Sequence, residues 1–211
     1  MQTQSLLFDE QAVRLVADDE CGIHYHPGCV PLDQQKAWFH ALHRAVEWRS
    51  QERPMYDRIV AVPRLMASVA LNDPGRPPCI DAALAAVQAV APAPYTRAGL
   101  NLYRDARDSV AMHNDRIHDL MPGQPIAILS LGAARDMLIR AKTGGASLRV
   151  RLEPGSVLVM SHASQRTHEH GIPKSAEPLG PRISLAFRVR QLSDERAASS
   201  PAPPVRLAWR R

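Results

Sequence analysis

The sequence predicts an α+β fold that is mainly β, with helices gathered in the first third and a sandwich or barrel of short strands after them. Three observations carry this. Segments with helical periodicity end before Pro92. From about Gly99 onward, apolar runs of four to seven residues alternate with Gly, Pro and Asp turns, the pattern of a sandwich or barrel, while helices placed ahead of such strands fit one covered sheet face. A length of 211 residues suits a single core.

Taken in order, Gly22-Ile-His-Tyr-His26 alternates and stops at Pro27-Gly28, as a short strand before a turn does. Asp33 to Trp48 repeats Trp38, Leu42, Ala45 and Val46 at helical spacing. Pro54, Pro63, Pro74, Pro77 and Pro78 interrupt the next stretch, which reads as loops and short strands. Ile80 to Val90 is an alanine-rich helix stopped by Pro92 and Pro94. Strands are expected at Leu100–Tyr103, Pro125–Leu131, Met137–Arg140, Ser147–Leu152, Ser156–Met160 and Ile183–Val189. Gly144-Gly145 supplies a hairpin turn and not a phosphate loop, because no Lys-Ser or Lys-Thr follows it in helical context. The end, Ser193 to Arg211, is rich in Ala, Ser and Pro. Residues 1–191 are therefore expected as one domain, with its strand-rich core at about 97–191, and 192–211 as a disordered tail.

Composition narrows the setting. Charged residues at 22% and apolar residues at 45% are ordinary for a globular protein. No apolar run approaches the ~20 residues that span a bilayer, so no membrane role is expected. Met1-Gln-Thr-Gln-Ser5 lacks a basic stretch followed by an apolar one, and a cytoplasmic location is expected. Cys21, Cys29 and Cys79 are too few for a disulfide scaffold and read as reduced thiols. Cys21-x-x-His24-x-His26-x-x-Cys29 has the residue types of a zinc site, but alternate residues of a strand face opposite sides and would not converge. Net charge is +5, of which the four arginines of 192–211 against Asp194 and Glu195 supply two. The remainder permits phosphate contacts without requiring them.

The chemistry gathers in three places. His113-Asn-Asp115 sets an imidazole and a carboxylate two residues apart, on one face of an extended segment. His170 supplies a second imidazole from a loop position before Gly171. Two imidazoles and one carboxylate, with the remaining positions open, form the ligand set of non-haem Fe(II) oxygenases. The open positions suit a chelating keto acid and O₂. Arg182 and Arg188, six apart on one strand with Ser184 and Ala186 between them, share a face and can grip a dicarboxylate through paired hydrogen bonds. His162 and His168 could each substitute as the distal ligand.

Asn101-Leu-Tyr103, His113-x-Asp115, Pro125–Gly132, Gly155–Met160, His170-Gly-Ile-Pro173 and Arg182-x-x-x-x-Phe187-Arg188 together resemble the AlkB-type dioxygenases. The likeness is strongest over residues 95–190. It extends more loosely to Met55–Arg64, which is similar to that family's nucleotide-recognition hairpin. The resemblance implies a double-stranded β-helix (jelly roll) with N-terminal flanking helices. It implies Fe(II) on His113, Asp115 and His170, and 2-oxoglutarate held by Arg182 and Arg188 with help from Asn101 and Tyr103. It also implies oxidative dealkylation of N-alkylated nucleobases, with Met55 and Tyr56 as the finger that fills the gap of a flipped base and Arg64 near the substrate.

The chain departs from the pattern in the substrate pocket. Ile117 stands where repair members carry an acid, and His118 could replace that polar contact. Leu65–Leu71 has no aromatic ring, and aromatics are only 5% of all residues. Expected partners are accordingly alkylated nucleic acid or, with a retuned pocket, a small metabolite, a biosynthetic intermediate or a protein side chain, acted on by a monomer.

Overall fold

The computed structural model describes residues 11–55 and 58–191, with side chains left out from 51 to 61. Tyr56, the side chain of Met55 and the 192–211 tail lie outside the described residues.

Two antiparallel sheets face each other. The larger has eight strands in the order β1 (Val13–Val16), β2 (Ile23–His26), β10 (Val157–Met160), β7 (Ile126–Gly132), β12 (Arg182–Arg188), β5 (Arg97–Tyr103), β4 (Arg58–Ala70) and β3 (Arg49–Met55). The smaller runs β6 (Val110–His113), β11 (His168–Ile172), β8 (Arg135–Ala141) and β9 (Leu148–Leu152). Helices α1 (Leu32–Ala45) and α2 (Cys79–Val90) lie on the larger sheet over β7. The result is three layers, helices, large sheet and small sheet, with two cores.

Strand alternation sorts residues between those cores. Along β7, Ala127, Leu129 and Leu131 pack under the helices with Trp38, Leu42, Ile80 and Val87, while Ile126 and Ile128 join Met137, Ile139, Leu152 and Leu158 between the sheets. A strand covered on both faces reads as a continuous apolar run, which is why β7 was legible. Along β12, Ile183, Leu185 and Phe187 face the helices. Burying Phe187 alone contributes roughly 1.5–3 kcal/mol. The other parity of β12 (Arg182, Ser184, Ala186, Arg188) and of β5 (Gly99, Asn101, Tyr103) faces the space between the sheets. Arg182, Ser184 and Asn101 interrupt an inter-sheet core that Tyr103 and Ala186 otherwise join.

Four expectations change. The segment after Pro54 is one long hairpin of β3 and the 13-residue β4, not loops and short strands. Pro54 sits on the edge strand, and Pro63 falls in the irregularity between the Ser50–Leu65 and Glu52–Ala61 pairs, where no ladder N–H is needed. Helix α1 stops at Ala45, since Val46 is extended, and Ala45 is exposed while Trp38 and Leu42 face the core. His170 lies within strand β11, not in a loop. β1, β6 and β11 are strands that the apolar pattern did not announce. Gly144 and Gly145, at φ +99 and +102, make the turn between β8 and β9 as expected.

Candidate active site

His113 ends β6 and His170 stands opposite it on β11 in direct register. Their rings are 4.5 Å apart, centroid to centroid. Gly171 allows this approach, because a Cβ there would sit 2.9 Å from the Val110 carbonyl oxygen and 3.1 Å from Met112 N on β6. His113 Nδ1 lies 2.9 Å from the Ala111 carbonyl, which leaves Nε2 to face a ligand. Burial, reinforced by the neighbouring His113, pushes His170 down to about 4, so it is neutral and ready to donate a lone pair at pH 7.

Asp115 follows β6 by two residues. Both its oxygens are engaged by Arg188, at 2.7 Å from Nε and 3.0 Å from Nη2. Burial alone would raise the Asp115 carboxyl, but the charge and hydrogen bonds of Arg188, with smaller help from His170 and His113, hold it below the usual range. Gly99 lies under this pair, where a Cβ would come within 3.1 Å of Arg188 Nη1. Arg188, expected on the co-substrate, thus braces the carboxylate. Among the described residues no three His, Cys, Asp or Glu side chains form a ready-made metal cage. The donor chemistry nevertheless fits a ferrous ion, with two adjacent imidazoles, one neutral by burial, and an ionised carboxylate that must share its oxygens with Arg188.

The opposite wall is cationic. Arg182 is fully buried, donates from Nη2 to Ser130 Oγ at 2.8 Å, and has no hydrogen-bond partner at Nε. Arg135, equally buried, gives its guanidinium to the carbonyls of Asp105, Asp108 and Pro173 at 3.1, 2.8 and 2.7 Å. Both guanidinium carbons lie over the Tyr103 ring, 5.4 Å (Arg135) and 5.3 Å (Arg182) from its centroid. Burial lowers the pKa of each arginine. Among the described residues neither hydrogen-bonds a carboxylate. A buried guanidinium donor without a hydrogen-bond partner is costly, and a bound carboxylate would satisfy the Nε of Arg182.

Asn101 links this wall to the hairpin, as Arg64 Nε donates to its Oδ1 at 2.8 Å and its Nδ2 approaches Ser184 Oγ at 3.4 Å. Arg64, Asn101, Tyr103, Arg182 and Arg188 therefore share the inner face with His113, Asp115 and His170. Ile117 and His118 do not join them. They occupy a single 3-10 turn, where the His118 side chain is 78% exposed and lies 3.3 Å from Asp119. Of the other histidines, His162 is buried with Nε2 unpartnered and Nδ1 4.0 Å from Glu20, and His168 meets Thr167 Oγ1 at 2.9 Å. Cys21 and Cys29 are free thiols, the first exposed. Sequence reasoning missed Ser130, Arg135 and Gln165. Arg135 had a visible signal, a charged residue at an inward position of an otherwise alternating strand.

Comparisons with known proteins agree with this fold. The family profile of the 2OG-Fe(II) oxygenase superfamily matches residues 22–188. The DNA oxidative demethylase ALKBH2 of Homo sapiens is 36% identical over 97 residues, which cover 42% of this chain and 37% of that protein. The alpha-ketoglutarate-dependent dioxygenase alkB homolog 3 of Mus musculus is 35% identical over 97 residues, 42% of this chain and 34% of that protein. The match thus spans little more than a third of these relatives. The solved structure of OsALKBH1 superposes with a TM-score of 0.57 at 17% identity, covering 80% of this chain and 96% of that one, which supports the jelly-roll fold.

Proposed function

The chain belongs to the 2OG-Fe(II) oxygenase superfamily as an AlkB-type member, and from that premise we propose that it oxidatively dealkylates N-alkylated nucleobases in DNA or RNA. Fe(II), 2-oxoglutarate and O₂ are the cofactor and co-substrates of the family. Together they oxidise a C–H bond next to nitrogen as the keto acid becomes succinate and carbon dioxide, and the hydroxylated carbon then leaves as an aldehyde. The observation that carries the reading is the Nε of buried Arg182, without a hydrogen-bond partner among the described residues, on the same strand as the Arg188 that holds Asp115.

Each side chain then has a task. His113, Asp115 and His170 would hold the ion, while Arg188 keeps the Asp115 carboxylate ionised and aimed. Arg182 takes the far carboxylate of 2-oxoglutarate, with Tyr103 as the surface beneath and Asn101 and Ser184 as neighbouring polar contacts. Arg64, tied to Asn101, connects the co-substrate wall to the strand leading to the hairpin tip. Closely packed apolar residues behind the site, including Ile128, Ile139 and Met160, keep water from the reacting carbon. The substrate class is supported by what the ALKBH2 and alkB homolog 3 relatives are named for.

The test is turnover of 2-oxoglutarate with ferrous iron and ascorbate, read as succinate and aldehyde, with methylated and unmethylated oligonucleotides. Methylated DNA or RNA is expected to raise both products together. Succinate at the same background rate with every oligonucleotide would overturn the nucleobase assignment and direct the search to small molecules.

A further inference from the structure

We propose that Gln165 is a positioning residue for Asp115, presetting the carboxylate relative to the two imidazoles before any ion binds; this rests on the metal-site reading above. Gln165 is 1% exposed and sits in α3 (Ser164–Thr167), the single turn that leads into β11. Its Oε1 accepts the backbone N–H of Asp115 at 2.9 Å, across 50 positions of sequence. That N–H needs such a partner, because the β6–β11 ladder ends at the His113–His170 pair.

The amide is fixed from its other end. Nε2 donates to Ser164 Oγ at 3.2 Å and to Met160 Sδ at 3.9 Å, while the backbone carbonyl of Gln165 accepts Lys142 Nζ at 2.9 Å and so anchors the turn itself. A flipped amide would place NH₂ against the Asp115 N–H, so only one orientation satisfies the site. The side chain therefore ties the loop that carries Asp115 to the segment that delivers His170. Without it, the hydrogen bonds on Asp115 among the described residues would be the local one from Asn114 Nδ2 to its backbone carbonyl and those of Arg188, which draw the carboxylate toward β12. Groups that orient ligands in this way typically alter metal affinity 10–100-fold when removed.

The experiment is a titration of the metal-free full chain with Co(II), followed by its visible absorption, for wild type, Gln165→Met and Gln165→Glu, with thermal melts of each. Gln165→Met keeps the shape but removes the acceptor, and its Co(II) dissociation constant is expected to rise about 10–100-fold. Gln165→Glu keeps an acceptor for the same N–H and is expected within about threefold of wild type, a rescue that a purely packing role would not give. Should Gln165→Met fail to fold, Gln165→Asn, one methylene too short to reach Asp115, carries the same expectation. Co(II) binding by Gln165→Met equal to wild type, or equal weakening by Gln165→Glu, overturns the proposal. Wild type that ignores Co(II), or a His113→Ala variant that binds it undiminished, overturns the underlying metal assignment instead and takes this proposal with it.

Discussion

Replacing Arg182 with methionine should separate stability from function. In the ligand-free protein Arg182 is a buried cation that donates to Ser130 Oγ at 2.8 Å and whose Nε has no hydrogen-bond partner among the described residues. Substituting a buried charge by an apolar side chain of similar volume is often neutral or stabilising by about 1–4 kcal/mol. Against that stands the loss of one charge-assisted hydrogen bond, about 1.5–3 kcal/mol. The two offset each other to within about 2 kcal/mol either way, so the melting midpoint of Arg182→Met without ligand should stay within about 8 °C of wild type. Binding should behave differently. Two charge-assisted hydrogen bonds to a carboxylate contribute about 3–6 kcal/mol, which predicts 2-oxoglutarate binding weaker by roughly 10²–10⁴-fold. Calorimetric titration with 2-oxoglutarate in the presence of Mn(II), beside thermal melts with and without the keto acid, reads both effects. A midpoint lowered by more than about 8 °C would mean the cation is already compensated in the free protein. A change in 2-oxoglutarate affinity below about tenfold would mean that the dicarboxylate binds elsewhere.

Further outcomes follow from the same geometry. Gly171→Ala should push β11 from β6, lowering the melting midpoint and weakening Co(II) binding together, whereas unchanged metal affinity would show that the His113–His170 spacing tolerates the shift. Asp108 is buried, which alone would raise its carboxyl, but the Arg104 side chain and backbone N–H hold it below the ordinary value. Its contribution to stability is thus complete above the unfolded-state pKa of about 3.9 and is lost as pH falls through the lower folded value. Asp108→Asn should accordingly flatten the acid side of the melting profile, and an identical acid slope would refute this. His118→Ala should leave the Michaelis constant for the substrate within about twofold, because the ring points to solvent; a tenfold rise would return His118 to the pocket.

Much of this architecture is legible in the sequence where burial is two-sided. The continuous apolar runs of β7 and β12, and the periodic Trp38 and Leu42 of α1, announce themselves because every residue of one parity meets a packed layer. β6 and β11 are silent for the opposite reason. They are four and five residues long, and His168-Glu-His170 carries polar residues where the pattern would require apolar ones. β4 was hidden by Pro63, which breaks a ladder only where a ladder hydrogen bond exists. Within the site, residue type pointed to His113, Asp115, His170 and the two arginines, but not to which partner each arginine takes. Arg188 is close to Asp115 because β12 and the β6 loop meet in space, a relation with no trace in local spacing. Gln165 and Arg135 belong to the same class, and Ile117 and His118 show the converse, since adjacency to Asp115 does not carry them around the turn.

The irregularity at Pro63 divides β4 into two lengths with different allegiances. From Leu65 onward the strand is hydrogen-bonded to β5 and so shares the ladder of the catalytic wall, whereas Arg58 to Ala61 is bonded to β3 alone. Residues near the tip of that ribbon can be exchanged, lengthened or shortened without a single backbone hydrogen bond being lost from the strands that present Asn101 or Arg182. Under the proposed function, selection acting on what is recognised would thereby be uncoupled from selection acting on how it is oxidised. A fold wired this way can keep one oxidising centre through many changes of clientele.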